Sequence, residues 1–334
     1  MTSEQTTPPS RAPIDNIREA IFTPMAVRAA LQLGLFTPLA RGPMTAEELA
    51  DALGVKPRRL QMLLYQLVLS EFLELDDSRF ANTAMADYYL VEKNPNYIGG
   101  VHGAWTEQFY AQMKTAESIR TDTAQAKLDF SGMSQEELGG FLKGLHGMAV
   151  SAGHNLASNS KFAEAKSIVD VGGGSGGLAI ALCEEHPQLH ATVLDLPSVV
   201  PIAKEMVDKA GLANRINVET VNILEEPLSG SFDIATARAL FQVLSADQCQ
   251  KAAHNIVAAL PSGGCLYIIG FVTDDSRLSP KFPVGMNLSF LNMFDDGQAY
   301  TESEYRNWLT QAGFVDVVRE PSSMGNSLIS ARKA

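Results

Sequence analysis

The first ninety residues carry the apolar spacing of amphipathic helices. Val27, Ala30, Leu31 and Leu35 recur at i, i+3, i+4 and i+8, which places them on one face of a helix. A second stripe lies within 58–69, where four leucines share one face. The pattern predicts a helical first part of the chain whose apolar faces pack together.

Local signals set the ends of these predicted helices. Thr45 with Glu48 three residues later forms a capping-box signature for a helix that Gly54 ends. Pro57 is placed to open the next helix. Apolar residues on both sides of an Asp-Asp-Ser turn at 76–78 then predict a small hairpin.

Helix, turn, helix and hairpin is the order of a winged helix, a fold that often binds DNA. Lys56, Arg58 and Arg59 form a small basic cluster here, but acidic residues flank it on both sides in sequence. Nucleic-acid recognition needs a basic surface. We therefore favour an interaction or dimerisation role for this region over DNA binding.

From Lys166 onward the period changes, and short apolar strands alternate with helices. This alternation predicts an α/β fold with a doubly wound parallel sheet, and the last two strands suggest an antiparallel hairpin at its edge. The predicted strands are 167–171, 191–194, 216–221, 232–236, 265–272, 314–319 and 327–331.

We divide the chain into four parts on this evidence. Residues 1–13 are predicted to be a disordered tail, and 14–110 a winged-helix domain. Residues 111–160 are predicted to be a helical linker and pocket wall, with 117–136 as a polar connection and 137–157 as one long helix. Residues 161–334 form the predicted α/β domain.

Composition narrows the function classes. The 334 residues are 46% hydrophobic and 19% charged, with a net charge of −12, which is typical of a globular protein that does not bind nucleic acid. No apolar run predicts a membrane span, and the polar N-terminus does not resemble a signal peptide. Cys183, Cys249 and Cys265 lack CxxC spacing, which favours reduced thiols and a cytoplasmic location.

The strongest local signal is the segment Asp170-Val-Gly-Gly-Gly-Ser-Gly-Gly, which follows a predicted strand and opens a predicted helix. Gly172, Gly174 and Gly176 allow a sharp turn and close approach to a ligand. Asp195 ends the next strand, where a carboxylate can accept hydrogen bonds from ribose hydroxyls. Loop and acid together predict a site for a nucleoside-type ligand.

Two features favour S-adenosylmethionine over a dinucleotide as that ligand. The loop is interpreted as G-x-G-x-G through Gly172, Gly174 and Gly176, rather than as the dinucleotide fingerprint G-x-G-x-x-G, whose spacing Gly177 also fulfils. Asp170 also stands immediately before the loop. A carboxylate there would repel a pyrophosphate but would attract the ammonium of a methionine group.

These motifs, with Asp195-Leu196-Pro197, Ala259-Leu260-Pro261 and the segment EYRNWLTQAGF, resemble the small-molecule O-methyltransferases of the caffeate and acetylserotonin type. The resemblance covers almost the whole chain. It implies a Rossmann-like class I methyltransferase domain, a homodimer formed through the N-terminal domain, and S-adenosylmethionine as the methyl donor. The resemblance implies cofactor contacts from Gly172, Gly174, Gly176 and Asp195, with Asn222 near the adenine. The further predicted cofactor contacts are Asp170, Leu196, Ile223 and Arg238.

The family pattern breaks after the fourth strand. Family members carry a His-Asp pair there, whose His is the general base, whereas this chain has Phe241 and Gln242. Neither side chain takes a proton at neutral pH, and a thioether acceptor has none to lose. We therefore favour an S-methyltransferase acting on a thioether or thiol acid. The pattern resembles bacterial family members that methylate sulfur, such as the enzymes that act on 4-methylthio-2-hydroxybutyrate.

Three alternatives stay open. His146 or His154, which lie eight residues apart on one predicted helix, could act as a relocated base for an O- or C-methyltransferase. The protein could hold S-adenosylmethionine as a fixed charge without transferring its methyl group. It could also be a regulator that senses S-adenosylmethionine and is not an enzyme.

Several residues are candidates for acceptor binding, because family members line the pocket from the corresponding segments or because they follow a strand end at the predicted cleft. They are Trp105, Tyr110, His146, Arg238, Asn287, Asn292 and Met293. Arg238 could bind an acceptor carboxylate through two hydrogen bonds. No metal-ligand spacing occurs among the histidines, so we expect no metal.

Overall fold

A computed structural model of the chain describes residues 9–94, 96–130, 132–225, 227–322 and 325–334. The chain divides into two compact units, with the boundary between Thr106 and Glu107. The predicted disordered tail lies outside the described residues over 1–8. Ala12 and Pro13, the last two residues of the predicted tail, instead belong to the first helix. Proline is tolerated there because the first turn of a helix needs no amide hydrogen.

The first unit is helical with one small hairpin. Its elements are α1 (Ala12–Ala20), α2 (Phe22–Gln32), α3 (Phe36–Leu39), α4 (Ala46–Leu53), α5 (Pro57–Leu69), β1 (Leu73–Asp76), β2 (Arg79–Asn82), α6 (Ala84–Leu90), the 3-10 helix Gly99–Val101 and the start of α7 (His102–Met113). Strands β1 and β2 pair antiparallel, so the predicted order of helix, turn, helix and hairpin is confirmed.

Caps and core of this unit follow the sequence signals. Thr45 and Glu48 form the reciprocal capping box at the start of α4, and Gly54 ends it in the left-handed conformation. Leu49, Leu64 and the other buried apolar side chains of α2 to α6 form one core. All four residues of the first predicted stripe belong to that core, although Leu35 lies beyond the end of α2.

The second unit is an α/β domain. Its helices are the end of α7, α8 (Thr115–Thr121), α9 (Gln135–Ala157), α10 (Ser160–Glu164), α11 (Gly177–Glu185), α12 (Val200–Lys209), the 3-10 helix Phe241–Val243, α13 (Ala246–Ala258), α14 (Lys281–Met293) and α15 (Glu302–Ala312). Its strands are β3 (Ser167–Val171), β4 (His190–Asp195), β5 (Ile216–Thr220), β6 (Ile234–Arg238), β7 (Cys265–Gly270), β8 (Phe314–Pro321) and β9 (Ser327–Lys333).

Across the described residues these strands form one seven-stranded sheet in the order β5-β4-β3-β6-β7-β9-β8. Strands β3 to β7 are parallel, and β9 runs antiparallel to both β7 and β8. The predicted parallel sheet and terminal hairpin are confirmed. The chain leaves β3 in one direction and returns at β6 on its other side, which opens a crevice at the carboxyl ends of these two strands.

Two glycines let α9 lie close against α11. A Cβ atom on Gly153 would come 2.7 Å from the Leu178 carbonyl oxygen, and one on Gly177 would come 3.1 Å from His146 Nδ1. Side chains at these positions would push the helices apart. The close approach fixes α9 beside the loop that opens α11.

Two predictions of local structure need correction. The segment 117–136 is not a linker throughout, because α8 occupies its start and is held by a hydrogen bond from the buried Ser118 hydroxyl to Asn292 Oδ1 (2.6 Å). Helix α14 was not predicted at all. It contains Pro283 near its start and Gly285 within it, and both residues weaken a helical signal. Among the described residues, no helix is long and apolar enough to cross a membrane.

Candidate active site

The glycine loop turns back over the end of the neighbouring strand. Gly172, Gly174 and Gly176 all have positive φ, at 66°, 58° and 73°, which is unfavourable for residues with a Cβ atom. The amide of Gly172 donates to the Leu194 carbonyl at 2.8 Å. These contacts hold the loop against the carboxyl end of β4.

Gly173 is a loop residue that sequence reasoning did not single out. A Cβ atom there would lie 2.7 Å from both Asp170 Oδ2 and Val193 Cγ1. Space therefore requires glycine at this position. The G-x-G-x-G pattern leaves the position unspecified, so only the run of three glycines could have indicated it.

A cleft of about 470 Å³ opens between this loop and the ends of β3, β4 and β6. Its size falls within the range of small-molecule and cofactor sites. Its walls come from the loops after these strands, from the segment before α9 and from the end of α14. The lining includes Leu128, Phe130, Leu142, Gly172, Gly174, Leu194, Asp195, Leu196, Asn222, Ile223, Arg238, Leu240, Val243, Leu244, Gln248 and Met293.

Asp195 is fixed by two backbone amides. Oδ2 accepts from the Gly174 amide at 2.8 Å and Oδ1 from the Leu196 amide at 2.7 Å. Burial raises the pKa of Asp195, while these two hydrogen bonds lower it. Each carboxylate oxygen still has a free lone pair, so both can accept hydrogen bonds from a ligand's hydroxyls in the cleft.

Asp170 is completely buried at the end of β3 and does not line the cleft. Thr236 Oγ1 donates to its Oδ1 at 2.8 Å, and its Oδ2 has no hydrogen-bond partner among the described residues. Burial raises the pKa of Asp170 to about 7, and Asp195 adds to the rise, while the Thr236 hydrogen bond and Arg238 oppose it. A buried carboxylate with an orphaned oxygen is costly, and it would be stabilised by a cation.

Arg238 is the largely buried cation of the cleft. Its guanidinium makes no salt bridge or hydrogen bond with another described residue. Burial lowers the pKa of Arg238, and the charge of Asp170 opposes that shift. Five N–H donors are thus available to an anionic group.

Asn222 and Ile223, two of the predicted cofactor contacts, lie on the cleft wall. Asn222 Oδ1 accepts from the Leu224 amide at 3.0 Å, and its Nδ2 donates to Glu225. These bonds fix the orientation of the amide. Ile223 is buried and adds apolar surface beside it.

Phe241 and Gln242 do not line the cleft. Phe241 is 1% exposed in the hydrophobic core, with its ring centroid 5.7 Å from that of Tyr305. Gln242 Oε1 accepts from the Phe271 amide at 3.0 Å, which ties the 3-10 helix to the end of β7. The cleft surface next to them comes from Leu240 and Val243 instead. Phe241 and Gln242, which stand where the family has its catalytic His-Asp pair, therefore do not reach the cleft.

The two histidines of α9 also lie outside the cleft lining. His146 Nδ1 shares a hydrogen bond with Ser175 Oγ at 2.9 Å, and burial lowers the pKa of its imidazole, against the charge of Glu184. His154 lies on the exposed side of α9 and pairs with Glu185 at 3.0 Å. The structure thus gives neither imidazole the position of a base in this cleft.

Of the predicted acceptor residues on α14, Met293 lines the cleft and the two asparagines do not. Asn287 Oδ1 accepts from the Ala299 amide at 2.7 Å. Asn292 is fully buried, and besides accepting from Ser118 it donates to Thr115 Oγ1 at 3.0 Å. The side-chain amides of Asn287 and Asn292 thus join α14 to neighbouring segments of the chain.

The remaining two candidates come from α7. Trp105 packs against the core of the first unit. Tyr110 is 62% exposed in the second unit and borders a smaller pocket of about 220 Å³, which shares Leu128 and Met293 with the cleft. Trp105 therefore has a structural role, and Tyr110 is free to contact a ligand.

One wall of the cleft lies within the predicted pocket wall 111–160, although its residues were not named from the sequence. The amides of Ala126 and Leu128 donate to the Asn292 and Met293 carbonyls at 2.8 and 2.9 Å, and Lys127 pairs with Asp295. These contacts bring Leu128 and Phe130 to the cleft. The polar composition of the segment predicted a linker and gave no sign of this pairing. Among the described residues, no group of His, Cys, Asp or Glu side chains could hold a metal ion.

Residues 127–315 match the O-methyltransferase domain, and residues 17–92 match the O-methyltransferase dimerisation domain. The chain belongs to the O-methyltransferase family. It is a methyltransferase whose methyl donor is S-adenosylmethionine, as its motifs predicted.

Three comparisons illustrate the similarity. The chain is 31% identical to the 3-hydroxy-5-methyl-1-naphthoate 3-O-methyltransferase of Streptomyces sahachiroi, over 96% of this chain and 95% of the relative. It is 29% identical to the N,N-dimethyltransferase OxyT of Streptomyces rimosus, over 91% and 90%. The structure of human N-acetylserotonin methyltransferase in complex with S-adenosylmethionine has the same fold, with a TM-score of 0.82, 21% identity and full coverage of both chains.

Proposed function

We propose that the cleft binds S-adenosylmethionine and delivers its methyl group to a small acceptor that needs no imidazole base from this cleft. Asp195 would hold the ribose hydroxyls, and the backbone of Gly172 and Gly174 would allow the ligand to approach closely. Asn222 and Ile223 would contact the adenine. The observation that carries the cofactor site is Asp195 fixed by the loop amide at 2.8 Å.

The charges around the loop fit the methionine part of this cofactor. Arg238, whose guanidinium pairs with no other residue that the structure describes, can bind the carboxylate of the methionine group. Asp170, with its unpartnered Oδ2, supplies a negative charge that would favour the ammonium, although it acts from behind the loop because it does not line the cleft. The cofactor itself supplies a methyl group on a positively charged sulfur.

The acceptor chemistry follows from the groups that the cleft lacks. Among the described residues that line it, there is no histidine or cysteine. The segment after β6 contributes Leu240, Val243 and Leu244, which are apolar. Lys127, Asp195, Asp295 and Asp296 also line the cleft. Because no imidazole is among the described lining groups, we expect an acceptor that is already nucleophilic at neutral pH, as an aromatic amine, a thioether or an acidic phenol is.

The two named relatives carry O- and N,N-methyltransferase names, which supports oxygen or nitrogen acceptors over the sulfur acceptor that the sequence favoured. The protein's contribution would then be to hold the acceptor in line with the methyl group and to exclude water. Met293 would contribute to this positioning from the cleft wall, and Tyr110 from the smaller pocket next to it. Arg238 could also contact an acidic acceptor.

The test is a panel of phenols of graded pKa, aromatic amines, thiols and thioethers, with release of S-adenosylhomocysteine measured from pH 6 to pH 9. We expect each phenol to react faster as pH rises through its own pKa. Aromatic amines should show flat rates once they are unprotonated, and thioethers should show flat rates over the whole range. A single ionisation near 6.5, shared by all phenols, would reveal an enzyme imidazole and contradict the proposal.

We also propose that the protein is a homodimer, because residues 17–92 match a dimerisation domain. Exposed apolar side chains on α1 and α2 support this, among them Ile14, Ile17 and Phe22. Light scattering after size exclusion should give twice the 36.0 kDa mass of one chain. A single-chain mass at micromolar concentration would contradict it.

A further inference from the structure

The glycine loop has one side chain by which it can be held. From Gly172 to Gly177 the sequence is Gly-Gly-Gly-Ser-Gly-Gly, so Ser175 carries the only side chain in six residues. Glycine has the largest backbone entropy to lose on ordering. A contact that holds Ser175 therefore restricts the most mobile type of backbone in the cleft.

That contact comes from α9. Ser175 is 4% exposed, and its Oγ lies 2.9 Å from His146 Nδ1. Nδ1 also lies close to the start of α11, since a Cβ on Gly177 would come 3.1 Å from it. The helix thus presents a fixed ring nitrogen to the loop.

We infer that His146 is a positioning residue, which holds the glycine loop in its cofactor-binding conformation through Ser175. The inference rests on the proposed cofactor site. With the loop held, the Gly174 amide stays 2.8 Å from Asp195 Oδ2, and the carboxylate is oriented before the ligand arrives. Preorganisation of this kind increases affinity because less order must be created on binding.

The role predicts an effect on cofactor binding and little effect on chemistry. His146→Leu should raise the KM for S-adenosylmethionine and the Kd for S-adenosylhomocysteine by about three- to tenfold, which is the range for one lost hydrogen bond, with kcat changed less than about twofold. Ser175→Ala should give the same shift. The double variant should be no worse than either single variant, because one interaction is removed in all three.

Conservative variants supply the rescue. An Asn side chain carries polar atoms near the position of Nδ1, so His146→Asn should retain most of the affinity. Lys143→Leu is the matched control on the same helix. Lys143 pairs with Glu205 on α12, away from the loop, and its removal should leave both constants unchanged.

Each outcome of these measurements either supports or contradicts the positioning role of His146. A fall in kcat at unchanged KM, or additive losses in the double variant, would overturn the positioning role. Calorimetric binding of S-adenosylhomocysteine gives Kd even without a known acceptor. If His146→Leu does not fold, Ser175→Ala against Ser175→Thr makes the same comparison from the loop side. Asp195→Ala separates the two proposals, since unchanged binding in that variant would reject the cofactor site itself.

Discussion

Replacing Asp170 by Asn should stabilise the protein in alkaline solution and not in acid. The carboxyl group is fully buried, and burial raises its pKa from 3.8 to about 7. Between these values the folded protein keeps a proton that the unfolded chain has lost. The contribution of Asp170 to the free energy of unfolding of the wild-type protein therefore falls as pH rises from about 4 to about 7, and it stays low at higher pH.

The magnitude follows from the shift. About three pKa units correspond to roughly 4 kcal/mol at full ionisation, of which about 2.5 kcal/mol is lost between pH 5 and pH 8. Asn keeps an oxygen that can accept from Thr236, but its amide N–H groups replace the orphaned Oδ2 and cost about 1–3 kcal/mol if unpaired. The variant should therefore be more stable than wild type at pH 8 by about 1–3 kcal/mol, and no more stable at pH 5.

Calorimetric unfolding without cofactor, at several pH values from 5 to 8, measures this. At about 2–4 °C per kcal/mol for a domain of this size, the difference in Tm between variant and wild type should change by about 5–10 °C over that range. Parallel pH profiles for the two proteins would refute the reasoning. Binding of S-adenosylhomocysteine should weaken in the variant, because the negative charge behind the loop is gone.

Asp233→Asn is the control of opposite sign. Burial raises the pKa of Asp233, but hydrogen bonds from the Lys166 and Ser167 amides and the Ser167 hydroxyl outweigh it and lower the pKa. Its stabilisation is present at neutral pH and is lost as pH falls through the folded pKa. The Asn variant should therefore lose most stability near neutral pH and least in acid.

Three further changes test the packing. Gly173→Ala should cost about 1–3 kcal/mol and weaken cofactor binding, since the new Cβ would lie 2.7 Å from Asp170 Oδ2. Gly139→Ala is the control, because a Cβ there meets open space and the change should be neutral or stabilising. Urea unfolding compares the stability of the two variants. Phe162→Ala should cost about 3–5 kcal/mol in the same assay, because the ring is fully buried. Ser245→Ala removes the capping box at the start of α13 and should cost about 1 kcal/mol in urea unfolding.

Local signals predicted the parts of the fold that local physics determines. The capping box at Thr45 and the alternation of strands and helices after Lys166 depend on neighbours within a few residues. The glycine loop and Asp195 were predicted together because the 21 residues from Gly174 to Asp195 have room for one helix and one strand, which bring the chain to the adjacent parallel strand. Helix α14 was missed because its proline and glycine weaken the pattern.

Contacts between distant segments could not be predicted in this way. The pairing of Ala126 with Asn292 joins positions 166 residues apart, and neither shows a pattern of its own. Phe241 sits in a single 3-10 turn, where neighbouring residues face different surroundings. Phe241 is buried in the core, whereas Leu240 lines the cleft. The partner of His146 depends on how closely two helices approach, which sequence spacing does not encode.

The position of β9 has a consequence for the order in which the sheet can form. Strand β9 lies between β7 and β8 in the sheet, yet 56 residues separate the end of β7 from the start of β9. During synthesis β7 is therefore an edge strand with unpaired backbone groups until Ser327–Lys333 has emerged from the ribosome. β8 is made earlier but has no strand to join until then. Nascent chains halted before Ser327 should be the species most prone to aggregate and most dependent on chaperones.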